Sequence, residues 1–302
     1  LAALDENDKT ETVDQSKLPG SDPLFSPRVG FNYDLTGDRS SQLRGGTGIF
    51  TGRLPFVWIG NVISNPGANP NLPPHLRSFD VNAADPDLKW PQVWNTNLAI
   101  DHRLPWDVLG TLEIIYGTDL NAFYVRNADL RTPVRTLPDG RPYFGGSGFP
   151  TNPFELTPGF GDGIYVIDNT SEGYNFSLTA QLRKQFESGL YSGLTYTYLQ
   201  AKSQLKSTEI ASVLYAENPV KGDPNKPELS YSEFGIRHRF TGVATYRFRW
   251  SDNLATSIGV FAEIGEGNRF AGAGGNRYSF VYSGDVNGDG QGGNDLIYIP
   301  KN

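Results

Sequence analysis

Short connections and long ones alternate strictly along this chain of 302 residues, and the segments they join are apolar on one face only. Tight connections fall at Thr36–Ser40, Pro105–Asp107, Glu187–Ser188 and Ser251–Asn253. Between them run long stretches rich in Gly, Pro and Asn: residues 52–91, 125–170, 203–230 and 269–297. The segment Tyr174 to Phe186 shows the face pattern most clearly. Tyr174, Phe176, Leu178, Ala180, Leu182 and Phe186 alternate with Asn175, Ser177, Thr179, Gln181, Arg183 and Gln185. Side chains of a strand point to opposite faces with period two, so one face here is greasy and the other polar.

The same alternation recurs along the chain. Val29, Phe31, Tyr33 and Leu35 share a face with Leu43 and Ile49, and Trp94, Leu98, Ile100 and Leu104 share one with Leu112, Ile114 and Tyr116. Leu190, Leu194, Tyr196 and Tyr198 follow the turn at Glu187–Ser188. Phe240, Ala244, Tyr246, Phe248 and Trp250 precede the last tight turn, and Leu254, Ile258, Val260, Ala262 and Ile264 follow it. The opposite faces carry Arg28, Arg44, Asp101, Arg103, Glu113, Arg183, Arg239, Arg247, Arg249 and Glu263 among small residues.

These patterns predict an all-β fold: about eight antiparallel strands in hairpins, forming the wall of a transmembrane β-barrel. In such a barrel short turns lie on the inner side of the membrane and long loops outside. Charges that would cost about 2–4 kcal/mol each against lipid would then line an aqueous interior. Trp106, Phe186, Phe248 and Trp250 gather near the tight turns, where ring side chains sit at headgroup level. Lys184 lies on the apolar face near its end, where it can snorkel. A soluble sandwich with one buried face would show similar alternation but gives no reason for every long loop to fall at one end.

Composition narrows the function classes. No apolar run approaches the ~18 residues of a membrane helix, which excludes a helical membrane protein but not a barrel. There is no Cys, so disulfides and thiolate metal sites are unavailable. A net charge of −7 without clustered Lys/Arg argues against nucleic acid as a partner. With no Met and no charged-then-apolar leader at its start, the chain reads as a mature or internal piece of something longer.

Several stretches resemble a known family. The run FSPRVGFNYDLTGDRSSQLRGGTGIFTGRLPFVWIGNVISN (Phe25 to Asn65) is similar to TonB-dependent outer-membrane receptors of the Oar-like type. So are WNTNLAIDHRLPWDVLGTLEIIYG (Trp94 to Gly117), YSEFGIRHRFTGVATYRF (Tyr231 to Phe248) and YSGDVNGDGQGGNDLIYIP (Tyr282 to Pro300). The resemblance implies that residues 1–302 are part of one outer-membrane barrel domain of 22 strands. The plug domain, the TonB-contacting segment and the closing C-terminal strands do not appear in this sequence. It implies import of a scarce solute, with outer-membrane lipid as surroundings and TonB, ExbB and ExbD as partners acting through the plug.

One segment carries metal-ligand spacing. Asp285, Asn287 and Asp289 alternate as at the start of an EF-hand loop, Gly290 stands at the sharp turn, and Gln291 adds a carbonyl. Position twelve, a bidentate Glu in that loop, is Leu296 here, with Asp295 one place earlier as the substitute. The set predicts structural Ca²⁺; the alternative is an Asx-rich turn without metal. His75, His102 and His238 are isolated from one another. Gly45–Gly48 and Gly159–Gly163 lack the Lys-Ser/Thr of a phosphate loop. Glu263 and Glu266 point to opposite faces of a strand. No acid, base and nucleophile converge, so catalysis is not expected. Residues 205–217 have weak helical spacing, and aromatics lie in or near the long loops, including Phe56, Trp58, Phe123, Phe144, Phe160, Tyr215 and Phe270. Besides import, the sequence is compatible with a small structural barrel or adhesin and with a soluble calcium-binding β domain.

Overall fold

The computed structural model describes residues 2–4, 10–14, 16–20, 23–64, 81–128, 130, 132–145, 163–205, 210–232, 235–266 and 284–297. Eight long strands dominate: β1 (Arg28–Asp34), β2 (Ser41–Thr51), β4 (Gln92–Leu104), β5 (Val108–Asn127), β7 (Gly173–Gln185), β8 (Leu190–Ser203), β9 (His238–Ser251) and β10 (Leu254–Gly265). They pair in the order β10-β9-β8-β7-β5-β4-β2-β1, each neighbour antiparallel. This meander follows the chain, as hairpin-linked strands do.

The tight turns form where local chemistry satisfies the backbone. Between β1 and β2, the Asp34 carboxylate accepts the N–H groups of Thr36 (3.1 Å), Gly37 (3.0 Å) and Arg39 (3.0 Å). Between β4 and β5, Pro105–Asp107 makes a single 3₁₀ turn, with Trp106 at φ 61°. Gly189, at φ 89°, closes the β7–β8 turn in the left-handed region that glycine enters without penalty.

The faces divide as alternation requires. Leu98, Ile114, Tyr116, Leu182, Phe240, Ile258 and Ile264 are exposed on the greasy side, and Leu194 reaches 64% exposure. Soluble monomers rarely expose apolar patches of this extent; lipid is the solvent that makes them favourable. On the other face Arg44 bonds Asp101 (2.9 Å) and Glu113 (3.3 Å), and Arg239 forks onto Glu263 (2.8 and 3.0 Å). The Thr179–Thr197 hydroxyl pair bridges strands on this polar side, while Thr47–Thr96 pairs on the greasy face, where Trp94 Nε1 also donates to Thr47.

The apolar core lies beyond the wall, in the stretches the sequence marks as long loops. Strand β5 is 20 residues long. Its first half pairs β7, and its last residues pair β6 (Ile164–Thr170) instead. Strand β6 in turn pairs β3 (Val81–Ala84) in parallel. Helix α1 (Phe56–Ser64) and helix α2 (Ala211–Ala216) pack on this extension. Leu54, Trp58, Val62, Leu88, Phe123, Val125, Tyr165, Ile167, Leu214 and Tyr215 form one buried cluster. Trp58 and Phe123 meet edge to face at 5.4 Å.

These elements correct the expectation of plain loops. Helix α1 and strands β3 and β6 sit inside stretches 52–91 and 125–170, and α2 falls at residues 211–216, within the 205–217 stretch whose spacing is weakly helical. Loop aromatics Trp58, Phe123, Phe144 and Tyr215 are buried packing residues, whereas Phe56 is exposed. Phe160 and Phe270 lie outside the described residues. Among the described residues no helix is long and apolar enough to cross a membrane, which leaves strands free to do so.

Candidate functional site

The aspartate-rich loop closes the outer cap. Backbone donors shape it first. Both Asp285 oxygens are used: Oδ1 accepts Gly288 N (2.6 Å) and Asp289 N (3.1 Å), and Oδ2 accepts Gly290 N (3.1 Å). Asn287 Oδ1 accepts Asp289 N (2.8 Å), and Asp289 Oδ1 accepts Gln291 N (2.8 Å). Asp295 Oδ2 reaches back to Val286 N (2.7 Å) and Asn287 N (3.2 Å). The alternation of Asx residues is therefore a run of side-chain-capped turns, with Gly288 (φ 75°) and Gly290 (φ 88°) supplying left-handed conformations.

The loop is tied to three other segments. Asn287 O accepts Phe144 N (2.7 Å), and Asn294 O accepts Val220 N (3.1 Å). Gln291 Nε2 donates to Tyr165 Oη on β6 (3.0 Å). Arg141, 2% exposed, donates to Asp295 Oδ1 (3.4 Å), to Leu296 O (2.8 Å) and to Asp139 (2.7 Å). All five residues expected as ligands thus lie in one described loop, and Asn287, Asp289, Gln291 and Asp295 are buried.

Burial sets the electrostatics. Loss of water pushes the Asp289 carboxyl up to about 7, against the lowering effect of the Asn294 and Gln291 donors. Desolvation likewise raises Asp285 and Asp295. Arg141 is the cation on Asp295, and it is shared with Asp139. A buried loop with this excess of carboxylate favours a counter-cation.

The donor set fits a hard divalent ion. It is all oxygen, and each Asp289 oxygen accepts one N–H, leaving lone pairs. Among the described residues Asn294 Oδ1 and Tyr215 Oη are buried and meet no hydrogen-bond partner. Among the described residues no group of three His, Cys, Asp or Glu side chains is close enough to hold a metal ion by itself. Amide, hydroxyl or main-chain oxygens would have to complete the shell.

On the wall, the two described histidines and Glu263 make cross-strand contacts. His102 Nδ1 meets Ser41 Oγ across the strands at 2.7 Å, and His238 stacks on Tyr196 while its Nδ1 meets Tyr196 Oη at 2.9 Å. His75 lies outside the described residues, as does the Gly159–Gly163 run except for Gly163. Glu263 is held by Arg239.

A family model described as an outer membrane beta barrel domain matches residues 8–297. The chain belongs to that family. It is accordingly an outer-membrane protein, and its exposed greasy rows face lipid. No curated protein matches the chain. Among solved structures it is similar to a mutant of the ferric enterobactin receptor PfeA from Pseudomonas aeruginosa, at 13% identity and TM-score 0.41, covering 78% of this chain and 27% of that one. The outer membrane transporter YddB from Escherichia coli gives 12% identity and TM-score 0.42, covering 73% and 26%. The siderophore receptor PirA from Acinetobacter baumannii gives 14% identity and TM-score 0.41, covering 81% and 30%. The chain thus spans about a quarter to a third of the length of these structures. As an outer-membrane barrel domain, it has its tight turns toward the periplasm and the cap toward the exterior.

Proposed function

We propose that this barrel domain is part of the wall and outer cap of a TonB-dependent receptor of the Oar-like type, which imports a scarce solute. The observation that carries the reading is a strand wall with a charged, uncovered face topped by a folded cap of several loops. A wet face suits a lumen occupied by water or a plug, and cap loops are where an outer-membrane barrel meets its solute. In that role the barrel is a conduit and catalyses no reaction. The Ser41–His102 contact is a cross-strand hydrogen bond on the membrane-facing side. The four stretches that resemble such receptors run through both wall and cap.

Within the cap, Ca²⁺ binds the Asp285–Asp295 loop in a structural role. Asp285, Asp289 and Asn287 offer side-chain oxygens, Gln291 a carbonyl, and Asp295 a carboxylate. The ion neutralises buried carboxylates and holds the loop closed.

Import is tested in the source bacterium by growth on single limiting nutrients: iron, cobalamin, oligosaccharides and peptides. Deletion of this receptor and deletion of TonB should abolish growth on the same nutrient, and the restored gene should rescue only the TonB-positive strain. Rescue without TonB would overturn the import reading.

A further inference from the structure

The greasy side of the wall is not evenly ridged. Gly110 on β5, Ala180 on β7, Gly242 on β9 and Ala262 on β10 all fall on that side by strand parity. Register sets them among large neighbours. Leu182 lies opposite Gly110, Leu112 opposite Ala180 and Leu194 opposite Gly242, while Gly242 and Ala262 pair with each other. The missing side-chain volume leaves a groove of about 750 Å³ that crosses the wall from Leu104 on β4 to Ile264 on β10. Leu104 adjoins a tight turn, whereas Ile264 stands at the end of β10 remote from its turn. The groove therefore climbs obliquely from the periplasmic rim.

A cation stands at its lower end. Lys184 follows Leu182 on the same face, one step nearer the β7–β8 turn, directly opposite Ser192. Among the described residues its ammonium meets the Phe186 ring at 4.6 Å and no carboxylate. Phe248 and Trp250 stack at 6.2 Å on this side of β9, so Lys184 belongs to the ring-rich band that marks headgroup depth. A lysine ammonium is a compact point charge that suits a phosphate.

Lipid bathes this whole side, so burial alone gives no lipid a reason to stay. Shape and charge do. A concave floor brings methylenes into van der Waals contact on several sides, and an uncompensated cation at headgroup depth adds a charged contact. We propose that the groove seats one phospholipid of the periplasmic leaflet. Its phosphate lies on the Lys184 ammonium beside the Ser192 hydroxyl, and an acyl chain runs over Ala180 and Gly242. Such a seat requires an outer-membrane barrel and does not require import.

The test uses the full-length protein in detergent, with phosphatidylglycerol as the added lipid and native mass spectrometry as the readout. Wild type should retain one phosphatidylglycerol, and should retain diacylglycerol of the same chains, which lacks the phosphate, severalfold less. Lys184→Gln should lower phosphatidylglycerol retention severalfold, and Lys184→Arg, which keeps the charge, should restore it. Ala180→Trp fills the floor at an exposed position and should lower retention with Lys184 intact. Arg247→Gln, near the same turn but on the polar side, should change nothing. In wild type, phosphatidylglycerol with a photoreactive diazirine on one acyl chain should label the peptides that hold Leu182 and Leu194. Retention left at the wild-type level by either Lys184→Gln or Ala180→Trp would overturn the seat, as would equal retention of diacylglycerol. Labelling spread evenly over the greasy rows would overturn it even if neither variant folds.

Discussion

Gly45 lies under the Phe31 ring on the greasy face, and a Cβ there would stand 2.8 Å from the Asn97 carbonyl oxygen and 2.9 Å from Phe31 Cε1. The ring can swing aside, but the carbonyl belongs to the ladder and cannot. Gly45→Ala is therefore expected to destabilise by about 1–3 kcal/mol, read as a lower midpoint for the heat-induced gel shift in detergent. Gly117 is similar on the polar face, where Asn95 and Asn175 close over it. Arg44 serves two carboxylates, Asp101 and Glu113, whose side chains are 17% and 23% exposed. Arg44→Ala leaves both without their cation and should cost about 1–2 kcal/mol, less than a fully buried pair because water reaches the site. The measured denaturant midpoint should fall, and Arg44→Lys, which cannot fork between two acids, should recover only part of it.

Strands test which solvent meets which face. On β8, Leu194 faces lipid and its neighbour Thr195 accepts Gln181 Nε2 (3.0 Å) on the polar side. Leu194→Arg should cost about 2–4 kcal/mol and reduce the folded fraction recovered from outer membranes, while Thr195→Arg should cost far less. Equal losses would contradict the assignment of faces. These eight strands were readable in the sequence because each meets two different solvents, and period-two alternation records that difference. Strand β6 was not readable: Ile164, Tyr165, Val166 and Ile167 are all buried, so no alternation marks them. Strand β3 is short and hidden on both faces, and α1 begins after Pro55 without an acidic first turn. The aspartate-rich loop was legible from Asx spacing alone. The ties from Arg141, Val220 and Tyr165 were not, since they depend on which stretch of chain lands beside the loop.

At the scale of the molecule, wall and cap are held by different forces. The wall depends on strand pairing and lipid contact, and the cap on burial of Trp58, Phe123, Tyr165, Leu214 and their neighbours away from water. Calorimetry should show the cap melting separately, with a transition that rises in Ca²⁺ and falls in chelator while the wall transition stays put. Among the described residues β1 and β10 have a strand on one side only. Expressed by itself, this stretch should self-associate through those edges, giving particles of more than one chain by light scattering. The cap cluster draws on points as far apart in sequence as Leu54 and Tyr215. Those side chains meet only after the strands that carry them are in register, so the lid is a late event in assembly. Before that its apolar side chains have no partners, so the segment expected to gain most from a chaperone is the one that finishes outermost, in water.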